Sequence, residues 1–169
     1  MELRLGEILV SQGVLSEHQV EQVLEQQRQN QRPFGVLCEE LFGTDPHAIE
    51  DAWSHQYAGF ARVIDPNAEV FDPAALELLT RRQAWQFRTL PIRFDNGELM
   101  LATTRMHLCR ALRFATITLG VPLYFVLAQP DSLGDALCRH YRLPGMTPAS
   151  VNDHAMDHLF TSLNAAPPC

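Results

Sequence analysis

Two stretches near the start of the chain resemble each other when one is shifted by 29 positions along the other. The first covers residues 4–27 and the second covers residues 33–56. Each begins with an apolar residue and a glycine, continues through a short apolar run and a turn, and ends at a glutamine. The aligned pairs are Leu5 with Phe34, Gly6 with Gly35, Val20 with Ile49, Leu24 with Trp53 and Gln27 with Gln56. A duplicated helix pair of this length either forms a bundle or presents two similar half-sites to a two-fold ligand.

Capping and end signals predict two short helices in each stretch. Ser16 and Gln19 have the spacing of a capping box, and Asp45 is positioned to cap a later helix. Gly13 and Gly43 follow short apolar runs and are expected to end helices. Leu9, Leu24 and Leu41 are among the apolar residues expected to form the core between these helices. The sequence therefore predicts a small four-helix subdomain.

The pattern changes to a mixture of strands and helices after residue 58. Asn96-Gly97 between two apolar runs is a strong signal for a tight hairpin turn. The sequence predicts strands over residues 61–64, 90–94, 98–103 and 123–128, and helices over residues 75–80, 81–87, 108–119 and 132–141.

These elements predict an α+β fold in three regions. Residues 1–58 form the helical tandem repeat, and residues 59–142 form a small mixed α/β subdomain with an antiparallel hairpin. Residues 143–169 are interpreted as a linker and a C-terminal tail with a possible short docking helix. The apolar residues of that tail recur every fourth position, at Val151, Ala155, Leu159 and Leu163.

Composition and missing motifs exclude several classes of protein. A formal net charge of −7 disfavours binding to DNA or RNA, which requires a basic surface. The four cysteines are widely spaced and form no CxxC motif, which favours a reducing, cytoplasmic location. No apolar run approaches the roughly 18 residues of a membrane span, so we expect no membrane insertion. The sequence contains no GxxxxGK[ST] motif, so we expect no hydrolysis of ATP or GTP and no enzymatic activity.

One pair of histidines has a spacing that can hold a metal ion. His154 and His158 lie one helical turn apart if the tail is helical, with Asp153 and Asp157 beside them. The glutamate of the HExxH motif is absent. We therefore interpret the pair as part of a solvated polar face and expect neither a metal nor a cofactor.

The repeat itself admits two interpretations. Its apolar residues suit the core of an ordinary bundle. A plain bundle does not, however, require an arginine and a glycine at a helix start and a glutamine at a helix end, twice in one register. Glycine allows a backbone or a ligand to approach closely, and helix N-termini favour phosphate. Arginine can bind guanine O6 and N7 in a bidentate manner, and a glutamine amide can donate and accept in one plane.

The double motif, RLGxxLxxxG followed by LxxxLxxQ, resembles the N-terminal domain of bacterial type II secretion and type IV pilus assembly ATPases. It is most similar to the cyclic di-GMP-binding version in the mannose-sensitive haemagglutinin pilus ATPase, the MshEN family. The resemblance extends from residue 3 to about residue 142 and includes Leu112-Arg113-Phe114-Ala115-Thr116. It implies a four-helix subdomain, a small α/β subdomain and a cyclic dinucleotide that lies along the repeats. Since no ATPase domain follows, we expect a free-standing receiver or a module of a longer protein.

The resemblance also implies which residues bind the ligand, all within the repeats. Arg4 and Gln27 would read one guanine edge, Gln56 with Arg32 would serve the other half, and the glycines would approach the phosphates. The implied ligand-binding residues are Arg4, Leu5, Gly6, Leu9, Gly13, Leu24, Gln27, Arg32, Phe34, Gly35, Trp53 and Gln56.

The second repeat departs from the motif. Pro33 stands where arginine is expected, with Arg32 one place early, and Cys38 and Phe42 replace leucine and glycine. We therefore expect two unequal half-sites.

Taken with the resemblance, the sequence indicates a non-catalytic cyclic di-GMP receptor. It would transmit ligand binding to a protein of a secretion, pilus or exopolysaccharide system, such as a secretion or pilus ATPase or a glycosyltransferase. The alternative is a protein-docking module of the same fold that binds no nucleotide, and the departures in the second repeat favour it.

Overall fold

The structure, a computed structural model, describes residues 4–154 of the chain. These residues form two compact units, which divide between Phe60 and Ala61. Each unit has its own hydrophobic core.

The first unit consists of the four predicted helices. They are α1 (Leu5–Ser11), α2 (Glu17–Asn30), α3 (Phe34–Phe42) and α4 (Pro46–Phe60). Helix α1 packs against α2 and α4, and α3 packs against the same two helices. The repeat in the sequence is therefore a repeat of two helix pairs.

The local signals that predict these helices act as expected. The Ser16 backbone N–H donates to Gln19 Oε1 at 2.8 Å, and the Gln19 N–H donates to Ser16 Oγ at 3.2 Å, which completes the capping box. The His47 N–H donates to the Asp45 carboxylate at 3.0 Å at the start of α4. Gly13 and Gly43 have φ of 69° and 61°, a conformation that L side chains rarely adopt, at the ends of α1 and α3.

Two predicted core leucines of the first unit are partly exposed. Leu24 is 38% exposed because α2 buries its neighbour Val23, about 100° away around the helix. Leu41 is 44% exposed because it lies in the last turn of α3, beyond the buried Leu37 and Cys38. The expectation that both leucines belong to the core is wrong.

The second unit combines four helices with a three-stranded sheet. Its helices are α5 (Pro73–Leu76), α6 (Arg81–Phe87), α7 (Leu108–Thr118) and α8 (Pro130–His140), and its strands are β1 (Leu90–Asp95), β2 (Glu98–Thr103) and β3 (Leu123–Leu127). Two short 3-10 segments cover Pro66–Ala68 and Pro148–Asn152. The predicted α+β fold class is confirmed.

The sheet has the order β1-β2-β3 and mixed direction. Strands β1 and β2 form the predicted antiparallel hairpin, and Asn96 and Gly97 have φ of 51° and 84° at its turn. Positive φ at both central positions is typical of a type I′ turn. Strands β2 and β3 are parallel, so both end at the same edge of the sheet.

Two predicted elements of the second unit differ from the structure. The expected strand over residues 61–64 is reduced to one bridge between Val63 and Leu127. The expected helix over residues 75–80 is shorter and begins earlier, as α5. It cannot include Thr80, which is the extended N-cap of α6 and whose hydroxyl accepts from the Gln83 N–H at 3.1 Å.

Residues 142–153, here called the C-terminal strap, belong to the second unit and pack against its helix α8. Gly134 of α8 approaches Pro148 so closely that an added Cβ would lie 2.2 Å from the Pro148 carbonyl oxygen. Val151 is fully buried, and the Arg88 guanidinium donates to the Asp153 carbonyl at 3.0 Å. This part of the predicted linker and C-terminal tail is therefore packed structure. Ala155, Leu159 and Leu163 of the predicted docking helix lie outside the described residues.

Within residues 4–154, no helix is long and apolar enough to cross a membrane.

Candidate functional site

The first predicted half-site lies at the start of α1. Arg4 is exposed, and its backbone N–H donates to the Glu7 carboxylate at 2.7 Å. Leu5 is half-buried beside it, whereas Gly6 is buried. The side chain of Arg4 is thus at the surface, while the glycine two residues later is covered.

Both repeat glycines lie under a β-branched residue of the same repeat. A Cβ added to Gly6 would lie 2.8 Å from Val20 Cγ1 and 3.4 Å from Phe34 Cζ. A Cβ added to Gly35 would lie 2.9 Å from Ile49 Cγ2. Since Gly6 aligns with Gly35 and Val20 with Ile49, the sequence repeat is also a repeat of packing. Close helix packing thus accounts for both glycines without a ligand.

The end of α2 and the start of α3 bring two predicted site residues together. Gln27 Nε2 donates to the Arg32 carbonyl at 3.1 Å. The Arg32 guanidinium forms a bidentate ion pair with Glu40, with N–O distances of 2.5 and 2.6 Å. Both side chains are about half exposed, at 46% and 47%. A ligand that used Arg32 would therefore have to displace Glu40, a residue that the sequence did not single out.

The remaining predicted residues differ in accessibility. Leu9 is fully buried, so a ligand could touch it only if the core of the first unit opened. Gly13 is exposed in its turn. Leu24 is partly exposed on α2, and Phe34 is half-buried at the start of α3.

Helix α4 carries an aromatic series that includes the predicted residue Trp53. The Trp53 and Tyr57 rings are 5.2 Å apart, and the Tyr57 and Phe60 rings are 5.1 Å apart. Gln56, half-buried, lies on the same helix. Sequence reasoning missed Tyr57, although the spacing of the three aromatic residues signals one helix face.

The first unit is strongly acidic. Residues 4–60 contain three arginines and nine acidic residues. A groove of about 440 Å³ between α1 and α2 has Gly6, Val10 and Val20 in its lining. The carboxylates of Glu7, Glu17 and Glu21 line the same groove. The negative potential of these carboxylates opposes the entry of a dianionic ligand. The binding of any such ligand therefore depends on the few arginines of this unit.

Cys38, one of the departures in the second repeat, is a core residue. Its side chain is fully buried, and burial raises the pKa of the thiol to about 11. A thiol with so high a pKa packs as a small apolar group.

A polar network joins the strands of the second unit. The Arg93 guanidinium donates to Glu69 at 2.5 Å and to Asp95 at 2.9 Å. The Tyr124 hydroxyl donates to the other oxygen of Asp95 at 2.5 Å. The hydrogen bonds from Tyr124 and Arg93 lower the pKa of Asp95, and burial and that bond raise the pKa of Tyr124 to about 12. The network links β1 to β3 and to the segment before α5, which is a structural role.

No group of three or more metal-ligating side chains forms among residues 4–154. The imidazole rings of His154 and His107 are 6.5 Å apart. His158 lies outside the described residues, so the prediction for the histidine pair stays a prediction.

Comparison with known proteins identifies relatives of the chain. The sequence model of the MshEN domain matches residues 58–147. The type IV pilus assembly ATPase PilB of Thermus thermophilus is 28% identical over 140 residues, which are 83% of this chain and 15% of that protein. The chain thus spans a small part of the length of this relative.

Two solved structures also resemble the chain. In the structure of MshE with cdg, the matched chain has 27% sequence identity to this one and a TM-score of 0.46. The match covers 82% of this chain and 99% of that one. The N-terminal domain of XpsE is 16% identical, with a TM-score of 0.43, and the match covers 82% of this chain and 98% of that one.

Proposed function

We propose that the chain, which belongs to the MshEN domain family, is a non-catalytic receptor module for cyclic di-GMP. The observation that carries the proposal is the three-dimensional repeat in the first unit. Packing alone accounts for the glycines at positions 6 and 35, but their equivalent contacts with Val20 and Ile49 give the two helix pairs a similar packing. Two equivalent helix pairs suit a ligand that has two equivalent halves.

In this proposal the exposed side chain of Arg4 reads one guanine edge. A guanidinium matches the O6 and N7 acceptors of guanine in a bidentate geometry. Gln27 serves the same half, and its amide is already oriented by the hydrogen bond to the Arg32 carbonyl. The partly exposed Leu24, one turn earlier on α2, supplies apolar surface for a base or ribose.

The second half-site is the weaker one. Pro33 has no guanidinium and no backbone N–H to offer. Arg32 is held by Glu40, so its use by a ligand costs that ion pair. Gln56 and Trp53 on α4 remain the contacts of this half. Output to a partner protein requires that the ligand bind two states of the module with different affinities.

The experiment is a calorimetric titration of cyclic di-GMP into the intact chain and two arginine variants at one salt concentration. Arg4→Ala removes a charge-assisted contact worth about 1–3 kcal/mol, which is about 5- to 150-fold in affinity. Arg28→Ala is the matched control, because Arg28 is exposed and pairs with Glu25 on α2. It loses the same charge and should bind like the wild type.

Two outcomes would contradict the proposal at different levels. A wild-type chain with no saturable heat at submillimolar cyclic di-GMP is not a receptor for it. If the wild type binds cyclic di-GMP and the Arg4→Ala variant binds it equally tightly, the first half-site lies elsewhere.

The acidity of the first unit supports one alternative, a protein-docking module that binds no nucleotide. Nine acidic residues in residues 4–60 and the Arg32–Glu40 pair suit a basic protein surface better than a dianion. Absence of nucleotide binding by the folded wild type would favour this alternative.

A further inference from the structure

The ion pair between Arg32 and Glu40 occupies the positive charge of the second half-site. Both terminal nitrogens of the guanidinium, Nη1 and Nη2, contact the Glu40 carboxylate, at 2.5 and 2.6 Å. A guanidinium uses the same two-pronged geometry to bind a phosphate or the O6 and N7 acceptors of guanine. Glu40 therefore holds the edge of Arg32 that an incoming nucleotide requires.

The backbone of Arg32 is held on both sides, so an exchange of partners involves its side chain. Gln27 Nε2 donates to the Arg32 carbonyl at 3.1 Å, and the Arg32 N–H donates to Asn30 Oδ1 at 3.3 Å. Gln31, the preceding residue, has φ of 54° and ends α2. Pro33, the following residue, has its φ restricted by the ring. A long side chain on a fixed backbone turns from one partner to another through its staggered rotamers.

The position of Glu40 is set by the packing of α3. The inner face of this helix is buried through Leu37 and Cys38, which directs Glu40 outward beside Arg32. The side chains of Arg32 and Glu40 are 46% and 47% exposed. An ion pair at this exposure is weak, so a ligand that offers Arg32 two acceptors can displace the carboxylate.

We propose that Glu40 is an internal competitor of the ligand for Arg32 and thereby sets the affinity of the second half-site. This inference rests on the proposed function and adds a residue that limits it. In the unliganded chain Arg32 binds Glu40. In the complex the second half of cyclic di-GMP takes the place of the carboxylate, which returns to water. The net gain from Arg32 is the difference between its contacts with the ligand and its contacts with Glu40.

The exchange also determines how binding depends on salt. Salt screens both the ion pair that breaks and the contact that forms, so the two effects offset each other at Arg32. Without the carboxylate of Glu40, the contact between Arg32 and the ligand is a net gain, which salt weakens. Removal of this charge should therefore make binding both tighter and more sensitive to salt.

The test is a calorimetric titration of cyclic di-GMP into the intact wild-type chain and two variants, at low and at high salt. Glu40→Gln keeps the length and helix propensity of the side chain and removes its charge. It should tighten binding at low salt about three- to fivefold, which corresponds to the upper end of exposed ion pairs because the pair is bidentate. Glu39→Gln is the matched control, since Glu39 is the exposed neighbour on α3 and is not the partner of Arg32. It should tighten binding less than about twofold, because it removes only a screened charge.

Two further measurements show whether Glu40 acts through Arg32. In the Arg32→Ala background, Glu40→Gln should have no larger effect than Glu39→Gln, because no guanidinium remains to be released. Without ligand, Glu40→Gln should leave the melting temperature unchanged or slightly lower, since it loses an exposed ion pair. A residue that only supports the fold would instead weaken binding when it is changed.

The proposal fails if Glu40→Gln binds cyclic di-GMP no more tightly than the wild type, or if Glu39→Gln tightens binding equally. It also fails if Glu40→Gln has its full effect in the absence of Arg32. In each of these cases a wild type that binds cyclic di-GMP leaves the proposed function intact. If neither the wild type nor Glu40→Gln shows saturable binding, the proposed function fails and this inference fails with it.

Discussion

The two units of the chain differ in core, in charge and in their relation to the family. The buried core of the first unit is aliphatic apart from Cys38, whereas that of the second unit includes Trp85, Phe114 and Tyr141. The first unit is acidic, while residues 61–154 contain ten arginines and nine acidic residues. The match to the MshEN domain covers residues 58–147 and therefore almost only the second unit.

This difference separates what family membership establishes from what it leaves open. The matched residues hold the sheet, and the predicted ligand residues lie in the repeats before the match. Membership thus bears on the architecture of the second unit, and binding of cyclic di-GMP must be decided on the residues of the first. The variants below test whether the two units behave as differently as they are built.

The largest effect should come from Trp85→Ala in the second unit. Trp85 is 1% exposed, and its Nε1 donates to the Tyr141 carbonyl at 2.8 Å. Truncation of a buried tryptophan typically lowers the free energy of unfolding by about 3–5 kcal/mol. The chain has two tryptophans, so Trp53 remains as a reporter in the first unit. The urea midpoint measured by circular dichroism should fall, whereas the midpoint measured by Trp53 fluorescence should not change. An equal shift of both signals would mean that the units unfold together.

A smaller effect is expected from paired leucine changes in the first unit. Leu9 is fully buried and Leu24 is 38% exposed, although both occupy positions of the same motif. Leu9→Ala should cost about 2–5 kcal/mol of unfolding free energy, and Leu24→Ala should cost less than about 1 kcal/mol. Leu24→Ala should instead weaken the binding of cyclic di-GMP. Equal destabilisation by the two changes would contradict the outward orientation of Leu24.

The next effect concerns the packing of the repeat glycines. Gly6→Ala places a Cβ 2.8 Å from Val20 Cγ1, which is closer than van der Waals contact, so it should destabilise the first unit by about 1–3 kcal/mol. The double variant Gly6→Ala with Val20→Ala removes the conflicting methyl groups and should cost less than the sum of the two single changes. Thermal unfolding of all three variants measures this coupling. If the destabilisations caused by the two single changes simply add, contact with Val20 is not the reason that residue 6 is a glycine.

The smallest effect is a change in how the stability of the second unit depends on pH. The pKa of Asp95 is lowered in the folded chain, so its contribution to stability is complete above the ordinary value of 3.8. That contribution is lost as the pH falls below this value through the folded pKa. Asp95→Asn should therefore unfold with a weaker pH dependence in this acidic range than the wild type. Thermal unfolding of both proteins at pH values on both sides of 3.8 checks this. If the melting temperature changes with pH by the same slope in both, the network does not contribute to the pH dependence of stability.

The sequence by itself determined the elements whose signals are local. The capping box of Ser16 and Gln19 and the turn at Asn96-Gly97 form as predicted, because each depends on hydrogen bonds or dihedral angles within about four residues. The 29-residue shift likewise predicted two equivalent helix pairs. At residues 61–64 the signal was weak, and the local pattern predicted a strand where the structure has a single bridge.

Only the tertiary structure decided how these elements meet. The contact of Gly6 with Val20, the ion pair of Arg32 with Glu40 and the hydrogen bond from Arg88 to the strap each join separate segments of chain. Such contacts depend on which faces of two elements pack together, and helical spacing alone leaves that choice open. For the same reason the sequence predicted which residues could bind a ligand, whereas their burial and the partners they already have follow from the packing of the helices.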